Sequence, residues 1–163
     1  MSYNDHELRG VGGWLAFFIV TLGLFTPLQI VVALFSLLGD PQIQAAYGES
    51  WPALKWTEIA LSAVNLAAAL FLAWRLNSVH NWQTIRIVIP GLWAMAVGIM
   101  IVELLAVAII GGVPAGELLA GSGAEFVRPI VYCAVWTAYL LRSERVANTY
   151  GRHGDEQVEQ VFA

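Results

Sequence analysis

With 163 residues, 58% of them hydrophobic and only 12% charged, the chain is well above the roughly 45 to 50% apolar fraction of ordinary soluble domains. A formal net charge of -4 without a basic arm excludes a conventional nucleic-acid partner. A single cysteine, Cys133, excludes an internal disulfide and a cysteine-based zinc cluster.

From Val11 to Gly39 no charged residue interrupts the chain, and that run exceeds the roughly 20 apolar residues a helix needs to cross a bilayer. A first membrane span is therefore predicted over about 13–38. At ~1.5 Å per residue it would reach about 39 Å against a hydrocarbon core of ~30 Å, so it must tilt, bend or protrude. Pro27 lacks an N–H and removes the usual partner of the Gly23 carbonyl, which predicts a bend near the middle of the span. The run is too long for a secretory signal core, and Ser36-Leu37-Leu38-Gly39 offers no Ala-x-Ala-like cleavage site, so it reads as a permanent span.

The segment Asp40 to Trp56 is acidic and carries Tyr47, Trp51 and Trp56, residue types at home among lipid headgroups. It leaves room for a short surface helix. The second span is predicted over about 58–75, closed by Arg75 where a helix C-terminus favours a cation. Along it Glu58, Ser62, Asn65, Ala69 and Ala73 recur at offsets of 3 or 4. Small residues permit close helix approach and Ser or Asn can bond across the contact, so this stripe should face protein and not lipid.

The connection from Arg75 to Arg86 is short, which makes the second and third spans antiparallel neighbours. The third is predicted over about 87–110 and halts at Gly111-Gly112-Val113-Pro114. Glu103, between Val102 and Leu104, is an acid well inside an apolar run, and such a residue is a functional-site hypothesis by default. Ala94 and Gly98 suggest a separate close-contact face on this helix. Gly116, Gly121 and Gly123 predict a flexible loop over 111–125. The fourth span is predicted over about 127–142, with Pro129 in its first turn and Arg128, Tyr132, Val135, Tyr139 and Arg142 along one face. Residues 151–163 read as a short, loosely ordered polar tail.

Arg9, Arg75, Arg86, Arg142, Arg145 and Arg152 fall on one side of this arrangement, against Lys55 and Arg128 on the other. The excess of arginine places both termini in the cytoplasm. The fold expected is all-α, a four-helix transmembrane bundle in one domain over 1–150. Glu58, Glu103 and Arg128 then share one layer toward the outer interface, with Gln29 beside them. The candidate polar or ligand site is Glu58, Asn65, Glu103, Arg128 and Tyr132, with a Glu103–Arg128 ion pair at its centre. A structural ion pair between helices competes there with proton, ion or ligand handling.

Conventional catalysis finds no foothold. There is no phosphate-cradling glycine loop, no His-Glu-x-x-His and no Gly-x-Ser-x-Gly, and His6, His80 and His153 are far apart in sequence. The chain is not expected to be an enzyme, and no catalytic residue, cofactor or metal site is predicted.

Two end motifs carry a resemblance. Gly12-Gly13-Trp14-Leu15 opens the first span, and Arg142-Ser143-Glu144-Arg145-Val146-Ala147-Asn148-Thr149-Tyr150 follows the last. Together they resemble the small bacterial membrane proteins grouped as domain of unknown function 2569, over nearly the whole chain. The resemblance implies four spans and a multi-pass place in the bacterial inner membrane, and it supplies no reaction. Arg128 matches an arginine at the start of that family's last span. Arg142 and Arg145, at a helix C-terminus facing an anionic membrane surface, are candidates for lipid contact or cytoplasmic docking. Partners expected are membrane lipids and an integral membrane protein or a second copy. The first functional reading is a non-catalytic partner, scaffold or accessory subunit that binds protein or lipid. Its alternative is a small transporter or ligand-binding membrane protein with an outer-leaflet polar site around Glu103 and Arg128.

Overall fold

The computed structural model describes residues 10–152, apart from the side chains of residues 115 and 119–124. Every regular element among them is helical. Helix α1 runs Trp14–Gly39, and the turn just ahead of Pro27, Thr21–Phe25, is widened to π geometry, so that the Thr26 N–H reaches the Thr21 carbonyl. A proline ring crowds the carbonyl four residues back, and a π turn at that point makes room for it. The bend expected at Pro27 therefore takes the form of a widened turn.

Asp40 leaves the helix in an extended conformation and accepts the Gln42 N–H at 2.8 Å, capping the short helix α2, Pro41–Tyr47. A 3-10 turn, Gly48–Ser50, leads into α3, Trp51–Ser78. Asn81 then caps the Thr84 N–H at 3.0 Å and opens α4, Trp82–Ile110, which carries a second π turn at Ala94–Gly98 one turn after Pro90. The segments Trp14–Gly39, Pro41–Ser78 and Trp82–Ile110 are each long and apolar enough to cross a membrane, and the protein is membrane-embedded on that ground.

Helix α5, Ala115–Arg142, begins well before the expected fourth span and converts most of the expected 111–125 loop into helix. Pro114 starts it, its carbonyl accepting the Glu117 and Leu118 N–H groups, and Glu117 complements the positive end of the helix dipole. Helical pairing in this stretch outweighs its glycines. Pro129 is consequently an interior residue of α5 and not part of a first turn. Ser143 breaks the helix, accepts the Val146 N–H at 3.4 Å and starts α6, Glu144–Tyr150.

Packing is uneven along the bundle. At the arginine-rich end Leu15, Phe18, Leu76, Ile85, Val88 and Leu140 are fully buried, and α6 adds Val146 and Tyr150 to the same core. The Tyr150 hydroxyl donates to the Leu76 carbonyl at 2.6 Å, and Arg152 Nη1 donates to the Leu141 carbonyl at 2.7 Å. Both carbonyls belong to the last turn of a long helix, where no intrahelical donor is available, so the segment after α5 caps the C-termini of α3 and α5. Gly151, at φ 72°, takes the left-handed conformation that turns the chain back from α6 toward Arg152. Arg152 also lies over the Trp82 ring, 5.4 Å from its centroid.

The first described residues join the same end. The Gly10 N–H donates to Thr149 Oγ1 at 3.1 Å, and a methyl group at Gly12 would come within 3.0 Å of Arg145 Nη1. Residues 10 and 149 are thus side by side. Arg9, His6, His153 and the remainder of the expected 151–163 tail lie outside the described residues.

Toward the opposite end the interior thins. Neither the Thr26–Gly39 half of α1 nor the Ile99–Ile110 half of α4 buries any residue. Phe35 and Ile109 are 72% and 79% exposed, as lipid-facing side chains should be. Close contact between α3 and α4 comes from Gly91, where an added methyl would meet Leu72 at 3.0 Å. Gly98, expected to mark a contact face, meets only its own helix neighbours, at the end of the Ala94–Gly98 π turn.

Candidate functional site

The thin half of the bundle holds the polar residues. A cavity of about 400 Å³ is lined by Gln29 and the apolar Ile30, Ala33, Leu34 and Leu37 of α1, by Glu58, Ser62 and Asn65 of α3, and by Glu103 of α4. The stripe on α3 places Glu58, Ser62 and Asn65 on its wall because their offsets of 4 and 3 keep them on one helical face. Depth agrees with this. Glu58 precedes Arg75, and Glu103 follows Arg86, by the same 17 residues, so each carboxylate stands about 26 Å from the arginine-rich end at ~1.5 Å per residue.

Glu103 makes no ion pair with Arg128. The charged neighbour that acts on Glu103 is Glu58, and among the described residues no lysine or arginine pairs with either carboxylate. Helix α4 turns Glu103 toward α1 and α3, whereas α5 turns Arg128 into a separate cleft beside α1. Similar depth was not enough to bring them together; the two helices present them in different cavities beside α1. The expected five-residue site is therefore divided, with Glu58, Asn65 and Glu103 in one cavity and Arg128 and Tyr132 in the other.

That second cleft, of about 740 Å³, lies between Phe17, Thr21, Phe25, Thr26 and Gln29 of α1 and Arg128, Pro129 and Tyr132 of α5. Gln29 borders both cavities. A smaller cavity of about 100 Å³ shares Asn65 of α3 with the first and Thr26 of α1 and Tyr132 of α5 with the second, and has Met95 and Ala96 of α4 on its walls. Both π turns border this small cavity, through Leu22 and through Met95 and Ala96. Asn65 Oδ1 and Tyr132 Oη are buried and have no hydrogen-bond partner. An unpaired buried polar atom costs about 1–3 kcal/mol, and the residues that carry these two both line the small cavity.

Gln29 and Thr26 complete these walls and were not among the five candidates. Gln29, the lone amide in the long apolar run, was expected beside the charged layer, and it lines both cavities. Thr26 sits beside Pro27, where it reads as a helix-capping residue. The π turns are marked only indirectly, by Pro27 just after the first and Pro90 one turn before the second. Among the described residues no three His, Cys, Asp or Glu side chains gather into a metal-binding group. Cys133 is buried and donates to the Leu92 carbonyl at 3.6 Å, a contact that ties α5 to α4.

At the other end, Arg142 is exposed at the close of α5, while Arg145 is partly buried against Gly12. The two end motifs of the sequence meet here through Gly10–Thr149 and Gly12–Arg145. A family model described as "Protein of unknown function (DUF2569)" matches residues 8–151, the span that begins and ends at this junction. The chain belongs to this family. No curated protein and no solved structure was found to match it. The DUF2569 match extends over all the long helices, so both cavities lie within the family's own domain.

Proposed function

We propose that this DUF2569 protein is a four-span inner-membrane protein of bacterial type that binds a small organic cation in the cavity of Glu58 and Glu103. Helix α5 is the fourth span, with its Arg128–Arg142 half in the hydrocarbon. The hydrogen bond between Gly10 and Thr149 supports an even number of crossings, and the arginines gathered at that end support a cytoplasmic location for both termini.

The observation that carries the reading is the pair of carboxylates lining one cavity with no lysine or arginine paired to either among the described residues. Two negative charges in a low-dielectric space repel strongly, and a cation seated between them relieves that repulsion. The opposite wall, Ile30, Ala33, Leu34 and Leu37, is hydrocarbon. A bare metal ion prefers oxygen ligands all round, whereas an alkylammonium presents a charge to one wall and a carbon body to the other. Gln29, Ser62 and Asn65 add side-chain oxygens whose dipoles favour a cation in the same cavity.

The scaffold reading drew on the small-residue stripe and on the basic C-terminal end. Ala69 and Ala73 are buried within the chain, where a methyl group at Gly23 would lie 3.2 Å from the Ala73 Cβ, and Arg145 is engaged by Gly12. Those surfaces are largely used internally, which favours the ligand-binding reading. Equilibrium dialysis of the purified protein in neutral detergent against a radiolabelled hexyltrimethylammonium tests it. Saturable binding that is lost in Glu58→Gln and in Glu103→Gln is expected. Absence of saturable binding to the wild type, or equal binding by the doubly substituted protein, contradicts the proposal.

A further inference from the structure

We infer that the cleft between α1 and α5 seats an anionic phospholipid, with its phosphate on Arg128 and an acyl chain along Phe17 and Phe25. The inference rests on α5 being a membrane span, as proposed above, and not on cation binding at Glu58 and Glu103.

Three observations lead to it. First, the seam is open. Backbones approach closely between α1 and α3, between α3 and α4, and between α4 and α5, whereas α1 meets α5 through aromatic rings, chiefly Phe18 stacked on Trp136 at 4.2 Å between centroids. Above that stack the helices leave the 740 Å³ cleft. A void of that size bordering the hydrocarbon does not stay empty in a bilayer.

Second, the cleft holds an arginine with no anion. Among the described residues Arg128 has no carboxylate partner. A guanidinium beside a lipid-facing seam is costly unless an anion meets it, and its planar fork matches a phosphate with two parallel N–H bonds. Tyr132 lines the same cleft, and its buried hydroxyl has no partner within the protein, so it is a donor that a small side-chain movement could offer to the site. Gln29 adds an amide N–H within the same lining.

Third, depth and wall chemistry fit a lipid better than a soluble anion. Arg128 stands 14 residues before Arg142, about 21 Å along the helix at ~1.5 Å per residue. With Arg142 at the cytoplasmic interface, Arg128 is within about 9 Å of the far edge of a ~30 Å core, a gap that a long arginine side chain and an indrawn phosphate can close together. Phe17 and Phe25 continue the cleft toward the bilayer interior and are 51% and 48% exposed, forming an apolar track for an acyl chain.

Native mass spectrometry from neutral detergent, with phosphatidylglycerol and phosphatidylcholine added at equal concentration, reads this directly. The wild type should retain phosphatidylglycerol at least tenfold over phosphatidylcholine, and Arg128→Gln should lose that preference while Arg128→Lys keeps part of it as a point charge. Tyr132→Phe should weaken phosphatidylglycerol retention severalfold with the choline lipid unchanged. Equal retention of the two lipids by the wild type overturns the inference, as does undiminished phosphatidylglycerol preference in Arg128→Gln. A lipid-free dimer that Arg128→Gln dissociates would also overturn it, since a second copy would then cover the cleft. Phosphatidylcholine carries a quaternary ammonium of the kind proposed for the carboxylate cavity, so the comparison is repeated in a Glu58→Gln/Glu103→Gln protein, where the phosphatidylglycerol preference should persist; the carboxylate cavity itself is judged by the dialysis experiment alone.

Discussion

Replacing Tyr150 by phenylalanine removes one oxygen atom and isolates one hydrogen bond. The ring is 1% exposed and its hydroxyl donates to the Leu76 carbonyl at 2.6 Å. That carbonyl lies in the last turn of α3, beyond the reach of any helical N–H, so Tyr150→Phe leaves a buried acceptor without a donor. The cost expected is about 1–3 kcal/mol, the penalty for an unpaired buried polar group. Tyr150→Ala loses the ring as well and should cost about 3–5 kcal/mol, in the range of large aromatic truncations in well-packed cores. Tyr139→Phe is the control, because Tyr139 keeps its ring contact with Trp136 and gives up no hydrogen bond. Reversible unfolding in mixed micelles by titration with an anionic detergent gives the three values side by side. If Tyr150→Phe is as stable as Tyr139→Phe, the claim that the end motif caps α3 fails.

Two further outcomes follow from the same packing. Gly91→Ala sets a methyl 3.0 Å from two Leu72 carbons at the closest α3–α4 contact and should cost about 1–3 kcal/mol in that titration, with Gly98→Ala unchanged or slightly stabilised. Burial, with the nearby Tyr139 adding to it, holds the Tyr150 phenol protonated above its ordinary value of 10.0, so its contribution is complete below about pH 10 and is lost as pH rises beyond it. Wild-type stability should accordingly fall more steeply than that of Tyr150→Phe between pH 10 and 11, and parallel curves for the two proteins would refute the assignment.

Much of this was legible in the chain. The uncharged run from Val11 to Gly39 marks a membrane helix because lipid admits no charge without a partner, and Glu103 stands out for the same reason. Depth was legible too, since ~1.5 Å per residue sets Glu58 and Glu103 at one level before any packing is known. Rotation was not. Which way Arg128 points depends on how α5 leans on α4, and no local pattern encodes that, so the expected Glu103–Arg128 pair resolves into two cavities sharing Gln29.

The end motifs illustrate the same limit. Arg145 reads as a surface anchor, and Tyr150 only as the last residue of a motif, when hydropathy alone is available, because an arginine near a membrane interface needs no other explanation. Their true contacts, Gly12 and the Leu76 carbonyl, are more than 70 residues away in sequence. Helix α6 escaped notice because its seven residues are too few for periodicity to reveal. The start of α5 was hidden differently. Gly116, Gly121 and Gly123 weaken the helical signal, and the cap at Pro114 is what sets the boundary.

The most direct measurement is accessibility at Ser62, on the wall between Glu58 and Asn65. A Ser62→Cys protein in a Cys133→Ser background, reconstituted in liposomes, would be treated with a charged, membrane-impermeant thiosulfonate. If a hydrated carboxylate cavity opens there, the cationic reagent should label Ser62→Cys several times faster than its anionic counterpart, and hexyltrimethylammonium should protect it. Labelling as slow as at the lipid-facing Phe35→Cys position, without charge preference or protection, would contradict the cavity on which the proposed function stands.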